Sequence, residues 1–273
     1  MAVRQLGNVR ADRNAPGASS IPPIWHESLW PLDWMALRLS PVYYGLGVPR
    51  GDGSAVVLVP GFLGSDAYLV ELYGWLGRIG YRPFMSGIGL NAECPGRLAT
   101  RLITTMERAQ AATGRPVRIV GHSLGGMIGR RAATQRPELV SQLICLGSPL
   151  QAVHAHPAVV ATAVGLHTTL SALSGGRYGC LAGRCKCGFT RDLAIALPPG
   201  IRHSAIFTRS DGVVDWHDAQ EIDQQLNHEV GGTHIGLVFN PRAYRALGQL
   251  LVTPELAEQP AETPAVALAP RAA

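Results

Sequence analysis

The alternation of short apolar runs with helical patterns is the feature that most constrains the fold of this chain. The runs AVVLV at 55–59 and VRIV at 117–120 are rich in β-branched side chains, which is typical of strands buried on both faces of a parallel sheet. Further strands are predicted at 81–85, 139–147 and 201–208, and helices at 65–79, 95–113, 124–135 and 241–252. This spacing indicates an α/β fold, with a mostly parallel central sheet and helices on both faces.

Three segments fall outside the alternating pattern. Residues 1–20 are small and polar and are predicted to be a flexible arm, and residues 253–273 are predicted to be a disordered Ala/Pro-rich tail. The stretch at about 150–200 breaks the rhythm and is predicted to be a small helical cap insertion within a domain that spans residues 21–252. One apolar face of a cap helix is expected to carry Val159, Ala163, Leu166, Leu170 and Leu173.

An aromatic segment precedes the first predicted strand. Trp25, Trp30, Trp34, Tyr43 and Tyr44 lie here among several leucines. The pattern predicts an amphipathic helix, and two placements are open. The helix packs on the domain, which is the favoured interpretation, or it lies on a lipid surface.

The composition excludes several classes of protein. With 47% hydrophobic and 16% charged residues, the 273-residue chain is not a disordered protein. The net charge of +5 comes from scattered arginines, since Lys186 is the only lysine, so nucleic acid is not an expected partner. Neither a secretory apolar region nor an apolar run of about 18 residues stands out. The expected location is the cytoplasm, with loose membrane association left open.

The motif Gly121-His122-Ser123-Leu124-Gly125 stands between a predicted strand and a predicted helix. In a tight strand-to-helix turn, the positions two before and two after the serine tolerate little beyond hydrogen. Such a turn exposes the serine hydroxyl near the positive end of the following helix. The motif therefore predicts Ser123 as a catalytic nucleophile.

A serine nucleophile needs a base, and the base needs an acid that orients it. His234 lies in a loop just before the last helix and is the predicted base. Asp211, at the end of the strand near 201–208, is the preferred acid, with Asp215 as the alternative. Asp192 and Asp223 are more distant choices. His122 lies within the turn itself and is not expected to act as the base.

An acyl-transfer site also needs hydrogen-bond donors for the oxyanion. One predicted donor is the backbone N–H of Leu124, directly after the nucleophile. The second is the backbone N–H of Phe62, in the loop that follows the strand at 55–59, where Gly61 permits a close approach.

Five motifs in this order resemble the α/β-hydrolases of the lipase/esterase superfamily, and most of all the bacterial triacylglycerol lipases. They are PGFLGS at 60–65, GHSLGG at 121–126, LICLGSP at 143–149, SDGVV at 210–214 and GTHIGL at 232–237. The resemblance covers residues 55–250 and implies an α/β-hydrolase fold with a cap. It also implies a triad of Ser123, Asp211 and His234, with oxyanion donors at Phe62 and Leu124. One departure is Pro60, where the family often has a histidine that could order the loop.

The segment at 180–187 has three closely spaced cysteines, Cys180, Cys185 and Cys187. A small disulfide, a Zn²⁺ site with a fourth ligand from elsewhere, and free thiols all remain open. Cys145, within a predicted strand, is expected to serve packing alone, and Cys94 indicates nothing.

The expected function is hydrolysis of carboxylic esters, with lipid-like or medium-chain acyl groups, through an acyl-enzyme intermediate. No cofactor and no catalytic metal are required for this chemistry. The same triad could instead serve acyl transfer or the cleavage of amides or lactones. A non-catalytic binding protein on the same fold is the alternative from another class. The oligomeric state is not predicted.

Overall fold

The computed structural model describes residues 21–152, 155–173, 189 and 196–252. The predicted arm at 1–20, the cysteines at 180, 185 and 187, Asp192 and the tail at 253–273 lie outside the described residues.

The described part of the chain forms one six-stranded sheet in which all neighbouring strands are parallel. The strands are β1 (Ala55–Val59), β2 (Arg82–Met85), β3 (Val117–His122), β4 (Val140–Leu146), β5 (Arg202–Phe207) and β6 (Asn227–Glu229). Their order across the sheet is β2-β1-β3-β4-β5-β6. The sheet confirms the predicted α/β class, and five of its strands match predicted ones. Strand β6 was not predicted, because its three polar residues give no hydrophobic pattern.

The described helices lie before, between and after these strands. They are α1 (Trp30–Leu39), α2 (Val70–Ile79), α3 (Pro95–Thr113), α4 (Leu124–Gln135), α5 (Pro157–Leu173) and α6 (Pro241–Leu251). The helix predicted at 65–79 is divided, since Asp66–Leu69 forms a 3-10 turn before α2 begins. Helix α5 lies within the predicted cap insertion.

The helices bury apolar side chains on both faces of the sheet. On one face α1, α2 and α6 contribute Leu37, Trp75 and Tyr244, which are fully buried. On the other face α3 and α4 bury side chains such as Leu102 and Ile128. These two cores hold the strands in place, and the carboxyl ends of parallel strands all meet at one edge of the sheet.

The aromatic segment before β1 packs on the domain through one face of α1. Leu37 is fully buried there, and the Trp34 indole N–H donates a hydrogen bond of 3.2 Å to Glu71. Other apolar side chains of the segment are exposed, including Trp25, Leu32 and Leu39. Contact with lipid therefore stays a prediction. Among the described helices, none is long and apolar enough to cross a membrane.

Candidate active site

Ser123 occupies the sharp turn between β3 and α4, at the carboxyl edge of the sheet. Its backbone has φ 54° and ψ −126°, and positive φ at a non-glycine residue costs about 1–3 kcal/mol. Two hydrogen bonds hold the turn: the Ser123 N–H donates to the Leu146 carbonyl at 2.8 Å, and the Gly126 N–H donates to the Ser123 carbonyl at 3.0 Å. The surrounding structure thus holds Ser123 in the strained strand-to-helix turn that the motif predicts.

The glycine two residues before Ser123 is needed because the chain passes very close to itself. A Cβ atom on Gly121 would lie 2.5 Å from the Cα atom of Gly126, which is a backbone clash that no side-chain movement could relieve. The close packing of β3 against α4 therefore explains why the position two residues before Ser123 tolerates little beyond hydrogen.

His234 and Asp211 form a buried pair beside this turn. The Nδ1 atom of His234 lies 2.6 Å from Oδ2 of Asp211, and the residues are 3% and 1% exposed. The other carboxylate oxygen of Asp211 accepts hydrogen bonds from the Val213 and Val214 amides, at 2.9 and 2.7 Å. Because a carboxylate only accepts hydrogen bonds, His234 carries a proton on Nδ1 and leaves Nε2 as the basic atom.

Burial alone would lower the pKa of the His234 imidazole. The Asp211 carboxylate, through its charge and its hydrogen bond, together with the charge of Glu27, outweighs this effect and raises the pKa above its ordinary value. The imidazolium that forms when a serine gives up its proton is thereby stabilised.

The alternative acid, Asp215, has different partners. Its Oδ1 atom lies 2.8 Å from Nδ1 of His217 and accepts a hydrogen bond from the His217 amide. The structure thus brings Asp211, and not Asp215, to His234. Asp223 caps the 3-10 turn at Gln224–Leu226 by accepting a hydrogen bond from the Gln225 amide.

The loop after β1 is ordered mainly by Asn91, which the sequence analysis did not single out. The Asn91 side-chain amide donates to the Pro60 carbonyl at 2.8 Å. Its backbone accepts from the Leu63 amide at 2.9 Å and donates to the Gly64 carbonyl at 2.8 Å. Asn91 is completely buried. These three hydrogen bonds order the loop, which is the role that a histidine at position 60 could have.

Three backbone amides of this loop have hydrogen-bond partners within the chain. The Gly61 amide donates to the Tyr68 hydroxyl at 2.6 Å, the Leu63 amide to Asn91, and the Gly64 amide to the Gly61 carbonyl at 2.9 Å. Of the four amides at 61–64, that of Phe62 has no hydrogen-bond partner among the described residues and is available to a ligand. Leu124, the other predicted donor, is the first residue of α4, whose first amides have no partner within the helix.

Tyr68 and His122 connect the loop after β1 to the loop of His234. Since the Tyr68 hydroxyl accepts from Gly61, its own proton points to Nδ1 of His122, 2.8 Å away. The Nε2 atom of His122 then donates to the His234 carbonyl at 3.0 Å. Burial, helped by the neighbouring charge of His234, lowers the pKa of His122 to about 3, so His122 is a neutral structural link.

A largely apolar cavity of about 480 Å³ opens over Ser123. Ser123, His234 and Phe62 line it on the side of the sheet. Ala158, Val159 and Thr162 of α5 line it as well, together with Leu63, Val213, Ile24 and Ile235. The predicted apolar face of the cap helix therefore reaches the site at Val159. Nothing is described of the side chains of Leu170 and Leu173 at its other end.

Four residues that sequence analysis missed organise the site: Glu27, Asp33, Tyr68 and Asn91. Each has at least one partner more than 20 residues away in sequence, and no local spacing marks these contacts. Cys145, as expected, is fully buried in β4, and burial raises the pKa of its thiol to about 12.

Comparison with known proteins gives fold-level likenesses. A family model described as a PGAP1-like alpha/beta domain matches residues 97–164. A lipase of Bacillus licheniformis in its mature form aligns with a TM-score of 0.54 and 18% identity, over 75% of this chain and 94% of the lipase. A soluble variant of monoglyceride lipase from Saccharomyces cerevisiae aligns with a TM-score of 0.51 and 17% identity, over 77% and 88%. The comparison with curated protein sequences found no match.

The three candidate residues each follow a different strand of the sheet. Ser123 follows β3, Asp211 follows β5 and His234 follows β6, so the chain order is serine, acid and histidine. With a parallel six-stranded sheet, helices on both faces and a strained elbow, the chain has the fold of the α/β-hydrolase superfamily.

Proposed function

We propose that this chain is a serine hydrolase that cleaves carboxylic esters with lipid-like or medium-chain acyl groups. The observation that carries the proposal is the buried His234–Asp211 pair, in a cavity that also contains the strained Ser123. A strained backbone and a buried charged pair both cost stability, and such features are concentrated at functional sites.

The reaction would proceed in two steps through an acyl-enzyme. His234 accepts the proton of the Ser123 hydroxyl at Nε2 while the serine oxygen attacks the ester carbonyl. The tetrahedral intermediate collapses as the C–O bond to the alcohol breaks, and His234 gives its proton to the leaving alcohol. A water molecule, deprotonated by the same histidine, then releases the acid and restores Ser123.

Two other groups have supporting roles. The Phe62 and Leu124 amides would donate hydrogen bonds to the oxyanion, which carries the charge that develops in the transition state. Asp211 keeps the imidazole in the tautomer with its proton on Nδ1 and stabilises the imidazolium.

The nature of the cavity supports the choice of substrate. Its walls are formed largely by Phe62, Leu63, Val159, Val213 and Ile235, which would exclude water from an acyl chain. Two of the solved structures with the same fold are named as lipases, and this likeness supports the same chemistry.

Hydrolysis of p-nitrophenyl esters of increasing chain length tests the proposal. We expect turnover with a preference for medium or long acyl chains, and a loss of about 10⁶-fold in kcat for Ser123→Ala. Release of p-nitrophenol that rises with added alcohols would indicate acyl transfer. Turnover of amides or lactones, without turnover of esters, would indicate an amide or lactone hydrolase. If the wild type neither hydrolyses esters nor reacts with a fluorophosphonate, the chain is a binding protein on a hydrolase fold.

A further inference from the structure

We propose that Glu27 is a positioning residue of the active site, which holds the loops of Asp211 and His234 together from the segment ahead of the sheet. The proposal rests on the function proposed above and adds to it a second carboxyl-bearing residue beside Asp211, outside the sheet and its following loops. Glu27 lies in the 3-10 helix Ile24–Leu29, which precedes α1.

The Glu27 carboxylate accepts three backbone hydrogen bonds from two different loops. Its Oε1 atom accepts from the Gly212 amide at 2.8 Å and from the His234 amide at 3.1 Å, and its Oε2 atom accepts from the Ile235 amide at 2.8 Å. Gly212 directly follows the acid, and the His234 amide belongs to the base itself. One side chain therefore fixes the acid loop relative to the base loop.

The chemistry of the three contacts requires an acceptor at both oxygens. An ionised carboxylate only accepts hydrogen bonds, whereas a glutamine side chain would turn its NH₂ group toward one of the three amides. Glu27 is 5% exposed, so water has little access to compensate for a lost partner. A charged acceptor facing three backbone donors is also stronger than a neutral one.

The packing at Gly212 leaves little space around the same contact. A Cβ atom on Gly212 would lie 3.0 Å from Oε1 and 3.4 Å from Cγ of Glu27. The side chain of Glu27 thus lies directly against the backbone that follows Asp211.

Further contacts fix the segment that carries Glu27. Asp33, in α1, accepts hydrogen bonds from the Thr233 amide at 3.2 Å and from the Asn240 side chain at 3.0 Å. The other side of this part of the chain is held by Glu71, which pairs with Arg38 at 2.8 Å and accepts from the Tyr43 hydroxyl at 2.8 Å. Because α1 and the residues after it are anchored in this way, the 3-10 helix that carries Glu27 leads directly into a fixed helix.

Glu27 acts on His234 through its charge as well as through its hydrogen bonds. The charged and titratable groups that face His234 are Asp211 and Glu27, both carboxylates, and His122, whose ring centroid is 4.8 Å away. Asp33 binds the amide of the preceding residue. With Glu27 neutralised, the imidazolium of His234 loses one favourable charge, so its pKa falls.

Two measurements on the full chain test the proposal. The first is the rate at which a fluorophosphonate labels Ser123 as a function of pH, and the second is the NMR titration of the His234 ring. The test variant is Glu27→Gln. The matched control is Glu221→Gln, which neutralises another buried carboxylate that instead contacts Arg130 and, at 3.7 Å, His203.

We expect Glu27→Gln to lower the plateau labelling rate by about 10- to 100-fold, because small displacements of a catalytic group have effects of this size. Its acid limb and the His234 titration should both move to lower pH. Glu221→Gln should leave all three at the wild-type values. Glu27→Asp keeps the charge with a shorter reach, so its plateau should fall while the His234 pKa stays close to that of the wild type. Glu27→Asp also decides the matter if Glu27→Gln does not fold.

Wild-type rates and an unchanged His234 pKa in Glu27→Gln would overturn the proposal, and so would an equal loss in Glu221→Gln. Failure of the proposed function has a different signature. If the wild type is not labelled at all, Ser123 is not an activated nucleophile. The His234 titration then still decides whether Glu27 acts on that side chain.

Discussion

Asp211 and Asp215 stand four residues apart after the same strand, yet their carboxylates have different partners. Asp211 binds His234 on one oxygen and two backbone amides on the other. Asp215 binds His217, whose side chain is exposed. At the scale of single residues, the choice between two similar acids is therefore made by the direction of the chain after β5.

Replacing these acids tests that distinction. Asp211→Asn should lower kcat for ester hydrolysis by about 10⁴-fold, because the imidazole then adopts the wrong tautomer. Asp215→Asn removes only a contact to an exposed histidine and should change kcat less than about threefold. Steady-state kinetics on a p-nitrophenyl ester decide between them. An equal loss in both variants would mean that Asp211 has no special role.

His122 gives the second prediction at this scale, on stability. Its folded pKa of about 3 lies well below 6.5, the ordinary value, so between these limits the unfolded chain binds a proton that the folded chain does not. Stability is thus lost as pH falls through this window. His122→Gln should reduce the slope of the unfolding free energy against pH by about 1.4 kcal/mol per pH unit.

Denaturant unfolding at a series of pH values measures this slope. The control is His217→Gln, which changes a histidine whose side chain is 54% exposed. An unchanged slope in His122→Gln would show that His122 is already protonated in the folded protein.

At the scale of elements, the loop after β1 depends on the loop that precedes α3. Asn91→Ala removes the donor that holds the buried Pro60 carbonyl, which should cost about 1–3 kcal/mol in the unfolding free energy. Because the loop that carries Phe62, the proposed oxyanion donor, loses its fixed position, kcat should fall with little change in KM. The control is Asn227→Ala, which breaks hydrogen bonds to Glu221 and Asp223 away from this loop. A loss of stability without a loss of kcat in Asn91→Ala would contradict this account of the loop.

The cap helix α5 gives a prediction about substrate selection. Val159 lines the cavity, whereas Val160, the next residue, is 46% exposed. Val159→Phe places a larger side chain in the cavity, and we expect this overpacking to cost about 1–3 kcal/mol when a long acyl chain is bound. The value of kcat/KM should therefore fall by about 10- to 100-fold, and for the longer esters alone. Val160→Phe should leave the chain-length profile as in the wild type. Equal profiles for all three proteins would place the acyl chain elsewhere.

At the scale of the whole molecule, the parallel sheet collects at one edge residues that lie far apart in the chain. The strands and helices that do this were largely predictable, because hydrophobic periodicity is a local property of the sequence. The same holds for Ser123 and His234, which have motifs around them. Glu27, by contrast, accepts hydrogen bonds from amides 185 to 208 residues away, and no sequence pattern near Glu27 predicts these partners. Asn91 and the contact of Tyr68 with His122 were missed because their partners, too, lie outside the local sequence.

If Ser123 is the nucleophile, it carries the acyl group during turnover, and mass spectrometry of the acid-quenched enzyme detects that group. The wild type is mixed with a p-nitrophenyl ester, quenched during the first turnover and mapped by peptide digestion. We expect a mass increase of one acyl group on the peptide that contains Ser123, and no increase in Ser123→Ala. Ester turnover with no acyl adduct, or with the adduct on another residue, would contradict it.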